Sequence, residues 1–504
     1  MRDVGRVLGL FAAAIALCFV LGCGGEDDDK KNAAQGGNQT LTVFCGAGIQ
    51  PAMDELKTAF ELENNCTVRV SYEGSGTLLG RLQSGAAADV YVPGDIFWIE
   101  KAQGKKLVGA YEVAAWFVPV LAVEKGNPKG IKGLADLARE DVRVGLGNAE
   151  ACAVGTVAHD LLKAEGLSDR VKPRYEGLTV NQIANQVKLK ALDVVLIWDA
   201  VAAQYPDSID VVPIKNAEFH AVPFAAAIVK RSANEALAKK FAKYAASDEG
   251  AAIFRRHKYT VPGRKIRVGC GASMRPAVED LVALFNETHG VDVRPNFGGS
   301  GTVLLQIQES KQGDVYICHD PYAYICEERK LSASWHTMAY LKPVIAVQEG
   351  NPKKIKGLLD LLRKDVRVAL PHREASTRGN ILWTILEKNN LAKKMTEHGF
   401  VEDRTHSLVN KLMLGAVDAA VLWDAPSRST EGVEVVSIEE KYEVDAVTSA
   451  TSGKTYSVDK VKVTLVRLTL SKEPLLTAQF AKLCLSDRGR EILKRHKFTL
   501  PSKP

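Results

Sequence analysis

Short apolar runs alternate with segments of helical period along most of the chain, and Gly-rich turns separate them. These runs are rich in the β-branched residues that strands favour. In the first half they occupy residues 41–45, 67–71, 90–92, 118–123 and 194–198. Strands and helices in alternation predict an α/β fold with mixed, mostly parallel sheets, in which ligands bind beyond the carboxyl ends of the strands.

The same pattern occurs twice in the chain. The segment EGSGTLLGRLQSGAAADVYVPGD in the first half returns as GGSGTVLLQIQESKQGDVYICHD, with Ser75 and Ser300 lying 225 positions apart. A repeat this long indicates a duplicated domain, because solenoid repeats run about 20–50 residues. The second copy carries about fourteen additional residues after Trp423. We therefore predict two copies of one domain, over 41–263 and 264–504, each expected to fold on its own.

Composition places the chain among ordinary globular proteins, since 46% of its 504 residues are hydrophobic and 25% are charged. The net charge of +6 comes from 66 basic and 60 acidic residues, which form no long basic block. Binding to nucleic acid depends on a basic patch or stripe. Nucleic acid is therefore not expected as a partner.

The N-terminus has the pattern of an export signal. Arg2 and Arg6 precede an apolar run that is shorter than the roughly 20 residues of a membrane-spanning helix. The run ends in VLGC, which resembles a bacterial lipobox with Cys23 as the acylated first mature residue, although Leu is usual three positions before that cysteine. We predict a signal peptide over 1–23, a flexible linker over 24–40, and an exported, membrane-anchored lipoprotein. A plain cleaved signal or an uncleaved anchor is the alternative.

With Cys18 assigned to the signal peptide and Cys23 to the lipid, seven cysteines remain. An odd number favours mostly buried thiols, with one or two bridges at most. The seven are Cys45, Cys66, Cys152, Cys270, Cys318, Cys326 and Cys484. Cys45 and Cys152 are expected near one cleft in the first copy, as structural thiols or as a redox or soft-metal pair.

The repeated GSGT turn has the features of an anion site. Its glycines, among them Gly76 and Gly301, allow a ligand to approach the backbone closely, and Ser75 or Ser300 is placed to cap the following helix. The amides of the first helical turn and the helix dipole favour negative charge. An isolated GSGT is more often an ordinary helix cap.

A second turn strengthens the prediction of an anion site. It follows the first strand of each copy and carries Gly48 in the first and Ser273 in the second. Each of these turns also leads into a helix. Two helix N-termini that converge on one point favour an oxyanion site over a simple cap.

The order of the repeated motifs resembles one family of transport proteins. GGSGTVLLQIQESKQGDVY, GNPKKIKGLLDL, VDAAVLWDA and HKFTLP occur in the order typical of molybdate- or tungstate-binding extracellular solute-binding proteins of ABC transporters. The resemblance covers residues 41–262 and 266–501. It implies two tandem type II periplasmic-binding domains. In each, two α/β lobes joined by crossovers close on a tetrahedral oxyanion that neutral hydrogen-bond donors hold.

The resemblance also assigns ligand contacts in both copies. They fall on Gly48 and Ser273 after the first strand, Ser75 and Ser300 in the GSGT turn, Val154 and Arg378 in the opposite lobe, and Trp198 and Trp423 in place of the family's tyrosine. A glycine at position 48 removes one hydroxyl from the first copy. Arg378 adds a positive charge to the second copy alone. We therefore expect the second copy to bind the oxyanion more tightly.

Two features leave alternatives open. Asp199 and Asp424 follow the tryptophans and are expected to cap a helix and point away from the cleft, with a cation or protonated ligand as the alternative. The insertion in the second copy is expected to be a flexible Ser/Thr loop, with a flavin-attachment motif that has Thr451 as the acceptor as the alternative.

No motif of catalysis is found: the chain lacks a phosphate loop, zinc-ligand spacing and a nucleophile elbow. We predict a protein that is not an enzyme and needs no cofactor or metal. It is expected to capture a molybdate-like oxyanion for an ABC permease, while anchored to the membrane by lipid. The alternatives are a sensor or scaffold that signals to a membrane partner, a binder of another anion or a metal-containing solute, and a redox module.

Overall fold

The computed structural model describes residues 39–373, 376–403, 408–442, 444–449 and 453–502. Cys23 of the predicted lipobox and Thr451 of the insertion lie outside these ranges. Contacts group Thr40–Pro504 into one compact unit. Within the described ranges, no helix combines the length and the apolar character that crossing a bilayer requires.

The first copy has two lobes, and each is built on one sheet. Its strands are β1 Gln39–Gly46, β2 Cys66–Glu73, β3 Val90–Val92, β4 Val108–Phe117, β5 Pro119–Glu124, β6 Val144–Gly147, β7 Tyr175–Gly177, β8 Val194–Trp198, β9 Ile209–Pro213 and β10 Val222–Val229. Its helices are α1 Gln50–Asn64, α2 Ser75–Gln83, α3 Ile96–Gly104, α4 Ala153–Ala164, α5 Val180–Lys188, α6 Asp199–Ala202, α7 Glu235–Ala245 and α8 Asp248–Arg256. The strand order is β2-β1-β3-β10-β4 in the first lobe and β7-β6-β8-β5-β9 in the second.

The second copy repeats this plan. Its strands are β11 Lys265–Gly271, β12 Asp292–Gly298, β13 Val315–His319, β14 Ser332–Leu341, β15 Pro343–Gln348, β16 Val368–Pro371, β17 Val401–Asp403, β18 Ala419–Trp423, β19 Val433–Val436, β20 Ala446–Thr448, β21 Thr455–Ser457 and β22 Val461–Leu468. Its helices are α9 Arg275–His289, α10 Ser300–Ser310, α11 Tyr322–Glu328, α12 Thr377–Lys388, α13 Ala392–His398, α14 Leu408–Met413, α15 Asp424–Arg428, α16 Pro474–Leu485 and α17 Asp487–Arg495. The lobes have the strand orders β12-β11-β13-β22-β14 and β17-β16-β18-β15-β19.

The strands β20 and β21 form an antiparallel hairpin, with Val447 opposite Tyr456. This hairpin lies in the insertion that the repeat locates after Trp423. Short 3-10 helices occupy Ala47–Ile49, Leu134–Ala138, Ala217–Phe219, Ala272–Met274, Leu358–Leu362 and Glu440–Tyr442.

The sheets are mixed, as predicted, but parallel pairs do not dominate them. In the first lobe of copy one β3 pairs parallel with β1, whereas β10 is antiparallel to both β3 and β4. In the second lobe β6 is parallel to β7 and β8, whereas β5 is antiparallel to β8 and β9. The chain crosses between the lobes after β4 and returns at β10, and the strands at these crossings run against the others.

The predicted strands and helices form because their apolar positions fit the core. All five residues of β8 are buried, as expected for a strand covered on both faces. In α5 the buried residues Val180, Ile183, Ala184 and Val187 form one helical stripe, and Thr179 caps the helix by accepting from the Gln182 amide.

The seven cysteines expected in the mature chain are all buried free thiols. The prediction of buried thiols is therefore confirmed, and none of these seven is bridged. Their burial removes them from the solvent contact that oxidation requires.

The two copies share part of one hydrophobic core, which the repeat did not predict. Trp116 and Ala221 of the first copy pack among the buried residues of the second copy. The ring of Trp116 stacks on His289 with centroids 5.7 Å apart. Each copy therefore completes its burial against the other.

Candidate functional site

The second copy encloses a polar cavity between its lobes, where α10 and α12 begin. Its volume is about 40 Å³, against the roughly 10–15 Å³ that one water requires. The lining residues are Ala272, Ser273, Gly298, Gly299, Ser300, His319, Tyr322, Ser376, Thr377, Arg378 and Trp423. The cavity thus holds several hydroxyl groups, an imidazole and a guanidinium.

The first lobe contributes the two predicted serines. The turn after β11 carries Ser273 on a 3-10 helix. Gly299 is the N-cap of α10 and Ser300 is its first residue, so the prediction that Ser300 caps the helix is wrong. The same holds for Ser75, because Gly74 caps α2. Since neither hydroxyl bonds to its own helix, each is available to other groups.

Each of these serines accepts a hydrogen bond from the strand beside it. Ser75 Oγ accepts from the Gly94 amide at 3.0 Å, and Ser300 Oγ accepts from the His319 amide at 3.3 Å. These two equivalent bonds hold the serine hydroxyl at the same place in each copy. The copies differ in the residue that donates the bond, which has no side chain in Gly94 and an imidazole in His319.

His319 contacts both predicted serines of the second copy, and the sequence analysis missed it. Its Nδ1 lies 2.9 Å from Ser300 Oγ and its Nε2 lies 2.8 Å from Ser273 Oγ. Its ring stacks on Trp423 with centroids 5.5 Å apart. The signal was present in the repeat, where Gly94 of the first copy stands against His319 of the second.

The second lobe closes the cavity through the start of α12. Ser376 caps that helix by accepting from the Gly379 amide at 2.9 Å. Thr377 Oγ1 donates to the Asp320 carbonyl at 2.7 Å, which joins the two lobes directly. Arg378 lines the cavity, with its Cζ 6.0 Å from the centre of the Trp423 ring. Three polar side chains of this lobe therefore line the same small space as the serines and His319 of the other lobe.

The matching cavity in the first copy is smaller and more apolar. Its volume is about 20 Å³, and it is lined by Gly46, Ala47, Gly48, Ile49, Glu73, Gly74, Ser75, Gly94, Phe117, Cys152, Ala153, Thr179, Val180 and Trp198. Phe117 stacks on Trp198 with ring centroids 5.0 Å apart, as His319 does on Trp423. An apolar ring thus takes the place of the imidazole. No Lys, Arg or His lines this cavity.

The lobes of the first copy touch through their backbones. The Gly76 amide donates to the Ala151 carbonyl across the cleft at 2.9 Å. Gly48 is likewise crowded, because an ideal Cβ there would lie 2.8 Å from Val180 Cγ1. A serine at position 48 would therefore need its neighbours to move.

Three of the predicted contacts do not line a cavity. The Gly76 amide donates its hydrogen bond to the opposite lobe, and Val154 is completely buried beside Gly147. At Gly301 the space an ideal Cβ would take lies 2.8 Å from the Tyr322 hydroxyl. The other predicted residues, namely Gly48, Ser75, Trp198, Ser273, Ser300, Arg378 and Trp423, all line their copy's cavity.

Both aspartates that follow the tryptophans bond to the crossovers between lobes. Asp199 Oδ1 accepts from the Val118 amide at 3.1 Å, and Asp424 Oδ1 accepts from the Lys342 amide at 3.0 Å. Burial raises the pKa of Asp199. These carboxylates therefore position the crossovers, and neither lines its copy's cavity. The prediction that they cap a helix is wrong, because Trp198 and Trp423 are the N-caps of α6 and α15 and neither helix has a side-chain cap.

Only one of the two cysteines expected at the first cleft lines it. Cys152 does, and burial raises the pKa of its thiol to about 11. Cys45 instead turns its sulfur toward the Gly46 carbonyl, 3.6 Å away. Among the described residues no group of three or more His, Cys, Asp or Glu side chains is arranged to hold a metal ion.

Comparison with protein families gives two matches along the chain. The family described as bacterial extracellular solute-binding protein matches residues 41–260 and again residues 266–499. The two matches cover both repeats, including the residues of both cavities.

Individual relatives cover about half of the chain. The molybdate-binding protein ModA of Mycobacterium bovis is 26% identical over 265 residues, which are 52% of this chain and 100% of that protein. The molybdate-binding protein ModA of Escherichia coli is 27% identical over 269 residues, or 50% of this chain and 98% of that protein. The solved periplasmic molybdate-binding protein of Azotobacter vinelandii is 22% identical with a TM-score of 0.39, covering 44% of this chain and 100% of that one.

Proposed function

Since the chain belongs to the family of bacterial extracellular solute-binding proteins, we propose that it captures a small oxyanion of the molybdate type for an ABC permease. The tandem matches and the two mixed-sheet lobes of each copy confirm the predicted fold class of two tandem type II periplasmic-binding domains. Family membership also supports export and argues against an enzymatic role. Relatives named as molybdate-binding support the class of ligand.

The observation that carries the proposal is the polar cavity of the second copy. Ser273 and Ser300 approach it from one lobe, and Ser376 and Arg378 approach it from the other. Hydroxyl and guanidinium donors at the N-termini of two helices suit a tetrahedral anion. A cavity of about 40 Å³ is sized for a compact ligand. The second copy is therefore the anion-binding copy in this proposal.

The first copy serves a structural role in the same proposal. Its cavity is half as large, and an aromatic ring occupies the place of the imidazole. Glu73, which is paired with Arg81, adds negative charge at the edge and disfavours an anion. This asymmetry agrees with the expectation that the second copy binds more tightly.

Calorimetric titration of the full chain with molybdate, tungstate, sulfate and phosphate tests the proposal. Ser300→Ala should weaken binding of the preferred anion by about 5- to 30-fold, because one desolvated donor worth about 1–2 kcal/mol is lost. Ser75→Ala, the matching change in the first copy, should leave the affinity unchanged. Heat of binding from none of the four anions would refute the proposal. A Ser75→Ala effect as large as that of Ser300→Ala would instead assign the binding to both copies.

We also propose that Cys23 carries a lipid that holds the exported protein at the membrane. The lipobox-like VLGC and the polar segment that follows it support this anchor. Labelled palmitate should enter the wild-type protein and not Cys23→Ala expressed in the same cells. Equal labelling of the two proteins would show that the chain is held in another way.

A further inference from the structure

The second copy's cavity contains one titratable ring that the first copy lacks. His319 ends β13, and Gly94 occupies the matching position. The imidazole packs over Gly271, where an ideal Cβ would lie 2.7 Å from His319 Cε1. A Cβ at this position would collide with the ring, so His319 packs directly against the backbone of the turn after β11.

The hydrogen bonds of this ring determine where two hydroxyl protons point. Nδ1 and Nε2 of His319 lie within 2.9 Å of Ser300 Oγ and 2.8 Å of Ser273 Oγ. A neutral imidazole has one N–H donor and one nitrogen that can only accept. One of the two serines must therefore donate its proton to the ring. That serine has no proton left for an anion in the cavity.

A protonated ring removes this conflict. Both nitrogens of an imidazolium donate, so both serine oxygens accept and both hydroxyl protons are released toward the cavity. The positive charge also lies beside the anion and strengthens its hydrogen bonds. The first copy cannot do this, because the residue at the matching position, whose amide donates to Ser75 Oγ, is Gly94 and has no ring.

We propose that His319 takes up a proton when the anion binds and thereby orients Ser273 and Ser300 toward it. The proton comes from solvent and is added to the ring nitrogen that had been accepting, and the displaced serine proton turns to the anion. This inference rests on the proposed function. It makes His319 a positioning residue and couples capture of the anion to a proton.

The charged groups around the ring agree with this role. Arg378 lines the same cavity. Asp320, the next residue, turns its Oδ2 to the Lys462 amide at 2.8 Å. Asp424 turns its carboxylate to the amide that follows β14. Tyr322 adds a neutral hydroxyl from α11. The carboxylates of Asp320 and Asp424 are thus both engaged by backbone amides.

Calorimetric titration of molybdate into the full chain tests the coupling directly. Because at most one proton is taken up at His319, the affinity for molybdate should fall as the pH rises from about 6 to about 8, by no more than about tenfold per pH unit. Titrations in two buffers of different ionisation enthalpy should show about one proton taken up per anion at the higher pH and little uptake at the lower. This measurement needs no variant.

Two variants assign the proton to this ring. His319→Gln keeps a donor and an acceptor but cannot change charge, so its affinity should be weaker below neutral pH and nearly independent of pH. His398→Gln removes a half-buried histidine of the same copy that lies outside the cavity, and it should behave as wild type.

The outcomes separate the two proposals. Absence of molybdate binding at both pH values would overturn the proposed function. Binding by the wild type without proton uptake, or pH dependence that persists in His319→Gln, would overturn the role of His319 and leave the proposed function standing. Thermal unfolding of each variant shows whether it is folded. Absence of proton uptake by the wild type overturns the role of His319 even where a variant is not folded.

Discussion

Two glycines at the start of α2 allow the lobes of the first copy to meet. An ideal Cβ on Gly76 would lie 1.9 Å from the Glu150 carbonyl oxygen, and one on Gly74 would lie 2.4 Å from that of Ala151. Both oxygens belong to the opposite lobe. Backbone atoms cannot give way as a flexible side chain can. The contact between the lobes of the first copy therefore requires glycine, which has no Cβ, at both positions.

Gly76→Ala should destabilise the protein by about 1–3 kcal/mol, because the added methyl overpacks the contact between lobes. In a domain of this size the melting temperature falls by about 2–4 °C per kcal/mol. Gly80→Ala, in the same helix, meets nothing within 4 Å and should be neutral or stabilising by up to about 1 kcal/mol. Differential scanning calorimetry compares the two. Equal melting temperatures for both variants would contradict the proposed contact.

At the scale of elements, the inserted hairpin of β20 and β21 bridges the lobes of the second copy. Tyr456 of the hairpin donates its hydroxyl proton to Asn380 Oδ1 on α12 at 2.9 Å. Lys454 pairs with Glu328 on α11 of the other lobe at 2.5 Å. The first copy has no counterpart to the hairpin, because the insertion occurs only in the second. Because the hairpin contacts both lobes, we infer that it stabilises the closed form of the second copy.

Removing one hydrogen bond between the hairpin and α12 should speed release of the anion. Tyr456→Phe deletes a hydrogen bond worth about 0.5–1.5 kcal/mol, so dissociation should become about 2- to 10-fold faster. Tyr72→Phe, which loses a hydroxyl bond to Asp54 in the first copy, is the control and should match the wild type. Stopped-flow displacement of molybdate measures both rates. An unchanged rate in Tyr456→Phe would show that the hairpin does not hold the cleft.

At the scale of the whole molecule, side chains of the second copy donate hydrogen bonds to a crossover segment of the first copy. Arg467 is 5% exposed and its guanidinium contacts Glu218 Oε1 at 3.3 Å. Gln479 donates to the carbonyl oxygens of Glu218 and Ala221 at 2.6 and 3.1 Å. These residues lie where the chain of the first copy returns from its second lobe to β10. The contact between the copies therefore restrains a segment that would have to move if the two lobes of the first copy opened or closed.

Gln479→Ala should weaken this junction by about 1–3 kcal/mol, because one buried and one partly buried carbonyl oxygen lose their donor. The calorimetric unfolding trace should shift to lower temperature. Gln83→Ala changes an exposed glutamine on α2 and should leave the trace in place. If the Gln479→Ala and Gln83→Ala traces coincide, the junction does not contribute to stability.

The sequence by itself determined the repeat, the order of the elements and the position of the cavities. These follow from local properties: β-branched apolar runs, helical period and glycines at the ends of strands act over a few residues. The same spacing placed Ser273, Ser300 and Trp423 at strand ends, where ligand sites of α/β sheets lie. The fold class and the candidate serines were therefore predictable.

The tertiary structure alone decided which groups meet in each cavity. His319 approaches Ser273 from a distance of 46 residues in the chain, and no local pattern states the direction of a side chain. The aromatic ring of Phe117 in the first cavity and the core shared through Trp116 likewise depend on packing between distant segments. Close packing selects among such arrangements through many weak contacts at once. For that reason the sequence revealed two similar sites, and only the packed structure distinguished them.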